Sequence, residues 1–363
     1  MPAGPARPAD PEGEAAAEPA ASAPPRPGLP IVVDAMGGDH APEAPVAGAV
    51  AAARDGVRVV LVGRSQEIRP LLDAQDPKAH IPVVHAEDAL AMDSGALASW
   101  RRPRSSVAVA CHLIRHGEAS ALVSAGSTGG VVATARLRLR ALHGVPRPAL
   151  AVVLPTLPTP TVLLDAGATA DPKPEMLVQF AHLGAAYAQV ALGIPRPSVG
   201  LLNIGEEDSK GDKLTRRAYD LLAAAHGLSF DGNVEGDDLL TGRVSVVVTD
   251  GFTGNVALKT VEGAVRYTAH EMFDAMTSTR LARTGAWLQR KHLRGVRNRL
   301  DSETYGGAAL LGLAGTVVIA HGASTASGIT AACHLASDLT HGHITDRIRD
   351  HTPPDRRFPL RRP

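Results

Sequence analysis

The chain has 363 residues, enough for one large α/β domain or two modest ones. Hydrophobic residues make up 44% and aromatics only 3%, so Ala, Val and Leu must fill the core, which favours helices packed on a Val-rich sheet. Lys+Arg and Asp+Glu both number 37, so the whole chain exerts no steering field, any electrostatics must come from local patches, and no nucleic-acid partner is expected.

Residues 1–29 are Ala, Pro, Gly and Glu with almost no large apolar side chain, and are expected to be a disordered extension. They lack the basic n-region and apolar h-region of a signal peptide. One α/β domain is expected over residues 30–345, with a flexible tail over 346–363. Short apolar runs at 31–33, 59–62, 81–84, 121–123, 149–154, 162–164, 199–204, 244–248 and 316–320 predict strands. Ala/Leu-rich stretches at 42–54, 107–116, 173–191 and 212–225 predict helices. This alternation means βαβ units, a mostly parallel sheet and helices on both faces. Residues 256–300 break the pattern, reading as helix without a strand for longer than an ordinary crossover. No apolar run approaches the roughly 20 residues of a membrane span. Cys111 and Cys333 lie far apart and outside every Gly-rich motif, which supports neither a disulfide framework nor a zinc knuckle.

Six Gly-rich loops fall at predicted strand ends. They are Asp34-Ala-Met-Gly-Gly-Asp39, Ser124-Ala-Gly-Ser-Thr-Gly-Gly130, Asp165-Ala-Gly-Ala-Thr169, Asn203-Ile-Gly-Glu-Glu207, Thr249-Asp-Gly-Phe-Thr-Gly-Asn255 and His321-Gly-Ala-Ser-Thr325. Ligands of open α/β sheets bind beyond the carboxyl ends of strands, where backbone amides and helix N-termini converge. Any one loop is explained as well by the Gly and cap that a βα turn needs; six together point to a shared cleft for a small phosphate-like anion. No P-loop, G-x-G-x-x-G fingerprint or G-x-S-x-G elbow is present, so the chemistry needs neither a nucleotide nor a covalent serine. His270-Glu271 lacks the second histidine of a zincin helix, and His341-Gly-His343 fits a solvated surface better than a metal. No cofactor or metal is expected.

The 34–39 loop followed by Pro42 resembles the N-terminal signature of the acyl-ACP:phosphate acyltransferase (PlsX) family. The resemblance runs in order through most of residues 31–335: Pro146-Arg-Pro-Ala-Leu150 with Leu154-Pro-Thr156, Asp171-Pro-Lys-Pro-Glu175, Asn203-Ile-Gly-Glu-Glu207 with Lys210-Gly211, Val247 through Lys259, and Tyr305-Gly-Gly-Ala with Leu310-Leu-Gly312. Departures are Ser127 and Thr169, where the family has Asn, Ala309 where it has Pro, and Asp208-Ser209 where it has Glu-Gly. A hydroxyl in place of a carboxamide keeps polarity but loses reach.

The resemblance implies a three-layer α/β/α sandwich with a mostly parallel mixed sheet, similar to isocitrate/isopropylmalate dehydrogenases and phosphotransacetylase, and a homodimer. It implies acyl carrier protein as donor of a long-chain acyl group, orthophosphate as acceptor, and a downstream membrane acyltransferase that uses the acyl phosphate. It also implies a cytoplasmic location, peripherally on the inner face of the cell membrane.

A thioester is already activated and phosphate is a charged oxygen nucleophile, so the enzyme mainly positions the two and neutralises charge. Asp34, Gly37, Gly38, Ser124, Gly126, Ser127, Thr128, Gly129, Asp165, Glu206, Lys210, Thr253, Gly254, Lys259 and Ser324 are expected to line the substrate site. Phosphate is expected on the amides and hydroxyls of 124–130 and 253–255, with Lys173, Lys210 or Lys259 as the cation. Asn203 or Asn255 is the right type for the thioester oxyanion. Asp34 and Asp250 order loops better than they act as bases. His321 serves either as proton donor to the leaving thiolate or as a capped structural histidine.

Residues 280–299 carry seven basic side chains and no acid, among them Arg283, Arg290, Lys291, Arg294 and Arg297, interleaved with Trp287 and leucines. Such an amphipathic stretch suits an anionic membrane surface or acidic carrier protein, or is a charged face on a dimer helix. The rival functions are a short-chain phosphotransacetylase using acetyl-CoA and a non-catalytic membrane-recruited scaffold.

Overall fold

The computed structural model describes residues 28–76, 80–92, 101–300 and 302–351. Of the extension expected over 1–29 and the tail expected over 346–363, residues 1–27 and 352–363 lie outside the described residues. The elements run β1 (Ile31–Asp34), α1 (Glu43–Arg54), β2 (Val59–Gly63), α2 (Ser65–Gln75), β3 (Val83–His85), α3 (Ser106–Arg115), β4 (Ala121–Ser124), α4 (Thr128–Leu139), β5 (Ala149–Leu154), β6 (Thr161–Leu164) and α5 (Pro174–Ala191). They continue with β7 (Ser198–Leu202), α6 (Lys213–Ala223), β8 (Ser229–Val234), β9 (Val246–Val248), α7 (Gly251–Thr277), α8 (Arg280–Leu288), α9 (Arg290–Leu300), β10 (Ala308–Leu311), β11 (Thr316–Ile319), α10 (Ala326–His341) and α11 (Ile344–His351).

Eleven strands form one sheet in the order β3-β2-β1-β4-β11-β10-β5-β6-β9-β7-β8. Away from the edge strands β3 and β8, the strands are short, apolar and buried on both faces, as strands between two helical layers must be. Period-two alternation sends Ile31, Val33, Val162 and Leu164 into one core and Val32 and Leu163 into the other. Helices α1, α2, α5, α6, α10 and α11 cover the first face, and α3 and α4 the second. Gly48 brings α1 against α10: a β-carbon there would stand 2.5 Å from Ile329 Cβ and 2.7 Å from the Ala326 carbonyl.

The pairings are parallel in the outer halves and antiparallel at the centre, where β11–β10, β10–β5 and β5–β6 reverse in turn. Three reversals make β1, β4 and β11 run opposite to β6, β9 and β7. Strands β8 and β10 were not expected, because Ser229–Val234 has no apolar run and Ala308–Leu311 has no β-branched residue. The described part of the expected tail is helical: residues 346–351 belong to α11, which buries Ile344 and Ile348. The long helical stretch begins earlier than residue 256, at Gly251, and divides at Thr279 and Gln289.

Candidate active site

All six Gly-rich loops leave the carboxyl ends of strands, as expected. Strand direction divides them into two groups of three rather than one.

The first group joins the loops after β1, β4 and β11. Buried Asp34 accepts hydrogen bonds from the Met36 amide at 3.1 Å and the Ser124 hydroxyl at 2.7 Å. Ser124 Oγ accepts in turn from the Gly126 amide. Burial pushes the Asp34 carboxyl above its ordinary range, opposed by these donors. The Asp39 amide donates to the Gly322 carbonyl, and the Ala320 amide to that of Ser124. Gly37 is obligatory, since a side chain would stand 2.5 Å from Asp34 Oδ2 and 2.7 Å from the Gly126 nitrogen. Gly38 has φ +105 and packs on Ala125. Ser127 caps α4 by accepting from Gly130, leaving Thr128 and Gly129 exposed in the first turn, where amide donors face outward.

His321 is exposed, and its Nδ1 accepts from the Ala323 amide, the capped arrangement; Ser324 is buried beside it. The N-terminus of α10 is already filled. Glu303 accepts from the Thr325 amide at 2.8 Å and from its hydroxyl at 2.7 Å. Sequence reasoning missed Glu303; no local signal ties it to a helix 22 residues on.

The second group joins the loops after β6 and β9, with that after β7 on the next strand. Asp165, fully buried, accepts from the amides of Leu150, Gly167, Ala168 and Thr169 at 2.6–3.0 Å. Burial raises its pKa against these four donors. Thr169 donates its hydroxyl to the Pro148 carbonyl. Gly254 lies so close that a β-carbon would sit 2.0 Å from the Asp165 carbonyl oxygen. Asp250 caps α7, accepting from the amides of Phe252 and Thr253. The Thr253 amide, and the Gly254 amide bonded to the Asp250 carbonyl, are thus taken, so phosphate cannot use these two as expected. The exposed Asn255 carboxamide, against Gly167, stays available with the Thr253 hydroxyl.

Asn203 differs from its expected role. Its Nδ2 donates to the Lys210 carbonyl and its Oδ1 accepts from the Ile204 amide, so the carboxamide closes its own loop. The cations separate as well. Lys259 pairs with Glu262 at 2.7 Å, Lys210 lies 3.9 Å from Glu207, and Glu206 pairs with Arg243 rather than lining a ligand. Lys173, exposed at the N-cap of α5, makes no ion pair among the described residues. Both cysteines are buried, and desolvation pushes their thiols up to about 12, which excludes a thiolate nucleophile at neutral pH.

No residue of α8 or α9 is buried. Leu281, Trp287 and Leu288 are exposed, and the Arg290 guanidinium stacks 4.5 Å from the Trp287 ring. Arg283, Lys291, Arg294 and Arg297 share these exposed helices. No helix among the described residues is long and apolar enough to cross a membrane. A small cavity of about 100 Å³, lined by Gly28, Arg58, Ser120 and His341, lies at the opposite end of β1 from Asp34 and belongs to neither group.

Two α/β halves that share one sheet, parallel in its outer parts and antiparallel at its centre, form a fold also found in solved phosphotransacetylases. The phosphotransacetylase from Streptococcus pyogenes superposes with a TM-score of 0.61 at 18% identity, covering 86% of this chain and 94% of that one. A second from Staphylococcus aureus gives 0.56 at 16% identity, over 87% and 96%. These likenesses establish the fold. The profile of the family described as "Fatty acid synthesis protein" matches residues 29–347, and the chain belongs to that family. Among its relatives is the phosphate acyltransferase of Thermobifida fusca, 66% identical over 323 residues, 88% of this chain and 90% of that protein. That of Thermus thermophilus is 48% identical over 319 residues, 88% and 97% respectively.

Proposed function

We propose that the chain transfers a long-chain fatty acyl group from acyl carrier protein to orthophosphate, giving the acyl phosphate that a membrane acyltransferase consumes. The observation that carries this reading is the pair of loop groups, each organised by a buried aspartate and each leaving outward donors. The reading requires the two groups to face one cleft. Phosphate sits on the first turn of α4 at Thr128 and Gly129. Lys173, the Thr253 hydroxyl and Asn255 serve the thioester and the charge developing on its carbonyl oxygen.

A phosphate oxygen attacks the thioester carbon, the tetrahedral oxyanion collapses, the C–S bond breaks, and the proton of hydrogen phosphate ends on the leaving thiolate. No covalent acyl-enzyme is needed, which agrees with the inert cysteines. Incubating the protein with palmitoyl-carrier protein and phosphate, and trapping the product with hydroxylamine, tests the reading; acetyl-CoA as donor tests the short-chain alternative.

Helices α8 and α9 form the contact with an anionic membrane surface, Trp287 and Leu288 entering the interface between the arginines. A second copy of the chain covers α7, whose Phe252, Val256, Tyr267 and Phe273 are all more than half exposed. Light scattering checks that homodimer.

A further inference from the structure

The longest acid-free stretch of the described chain runs from residue 119 to 164, and it carries Arg136, Arg138, Arg140, His143 and Arg147. Arg136 and Leu137 lie in the last turn of α4, Arg140 is its C-cap, and Arg147 comes from the connection to β5. Arg136, Leu137, Arg140 and Arg147 are all exposed, Leu137 by 48%. A helix C-terminus favours basic side chains, which accounts for Arg136 and Arg140. It does not account for Arg147, which the connection brings close enough to act against Arg136. The Arg136 guanidinium is held below its ordinary value, first by desolvation and then by the charge of Arg147. No carboxylate pairs with Arg136, Arg140 or Arg147 among the described residues.

The patch is held firmly. The Leu142 amide donates to the Gly312 carbonyl, the Ala314 amide to that of Arg140, and Gln179 Nε2 to that of Gly144. It also adjoins the second loop group, since Pro148, next to Arg147, accepts the Thr169 hydroxyl.

We infer that Arg136, Arg140 and Arg147, around the exposed Leu137, form the docking surface for an acidic helix of the acyl-carrying protein. The inference rests on the acyl-carrier reading above and adds the surface where the carrier lands. Clustered arginines without counter-charges invite an acidic partner, and an apolar side chain at their centre gives that partner a dry contact. The location lets the carrier's thioester arm reach the Asp165–Thr169 loop beside it. The two basic surfaces then divide the work, this one taking the carrier and α8–α9 the membrane.

A crossed binding experiment tests this. Labelled holo-acyl carrier protein and phosphatidylglycerol-containing vesicles are titrated separately with the wild type, with R136E/R140E/R147E, and with R290E/K291E/R294E. The inference expects the first variant to lose carrier affinity by roughly tenfold or more while still binding vesicles, which also reports that it is folded. The second should bind the carrier as the wild type does. Unchanged carrier affinity in the first variant, loss of carrier affinity only in the second, or no carrier binding by the wild type would each overturn it. Binding is read without turnover, so absent acyl phosphate formation with intact, patch-dependent carrier binding would fail the catalytic reading and spare the docking surface.

Discussion

The Asp34 carboxylate and the Ser124 hydroxyl meet at 2.7 Å across 90 positions of sequence, fastening the loop after β1 to the loop after β4. Both are buried, so removing the hydroxyl leaves a void beside the Asp34 carboxyl and takes away one of its donors. Ser124→Ala should cost about 1–3 kcal/mol and impair phosphate binding through the displaced Gly126 amide. Denaturant titration and the KM for phosphate measure the two effects.

Asp34 also sets a pH dependence. Its folded pKa lies above the ordinary 3.8, so between the two values the folded state holds a proton that the unfolded state has lost. The contribution is complete below 3.8 and is lost as pH rises through the raised value. The stability of wild type relative to Asp34→Asn should therefore fall as pH rises from about 3.8 toward neutrality, as read from urea midpoints.

Lys173 and Lys259 should separate by kinetics. Lys259 is tied to Glu262 on the surface of α7, and its alanine variant should stay within a few-fold of wild type. Lys173 is unpaired among the described residues, and Lys173→Ala should lower kcat by about 10²-fold, the range for loss of one charge-stabilising donor. Steady-state rates of both variants decide it.

Cys111 and Cys333 should be dispensable for chemistry. With thiols pushed up to about 12 and side chains buried, the native protein should resist maleimide, and the double serine or alanine variant should retain turnover. Rapid inactivation protected by acyl substrate would contradict this.

The exposed face of α8–α9 should lose anionic vesicles when its charge is reversed. R290E/K291E/R294E should remain in the supernatant of a vesicle sedimentation assay in which the wild type pellets, and the difference should shrink with added salt.

Much of the fold was legible because buried parallel strands are continuous runs of Val and Leu: all nine expected strands are present. Ser229–Val234 escaped notice because an edge strand needs little apolar character, and Ala308–Leu311 because its position between antiparallel neighbours is a property of the whole sheet. The six loops could be read as strand ends, but their division into two groups follows from three successive reversals at the sheet centre, which no local motif encodes. Residue types identified Asn203, Thr253 and Lys259 as candidates without revealing what each was bonded to. Asn203 closes its loop, the Thr253 amide is spent on Asp250, and Lys259 faces Glu262. Glu303 was invisible for the opposite reason, being an ordinary surface residue until the fold sets it on the start of α10.

The central claim is acyl transfer to phosphate without an acyl-enzyme. A single-turnover reaction of palmitoyl-carrier protein with excess enzyme, in the presence and absence of phosphate and followed by intact-protein mass spectrometry and hydroxamate trapping, tests it most directly. The account predicts palmitoyl phosphate only when phosphate is present and an unmodified protein throughout. A protein carrying the palmitoyl mass without phosphate, or no acyl phosphate with it, would contradict the account.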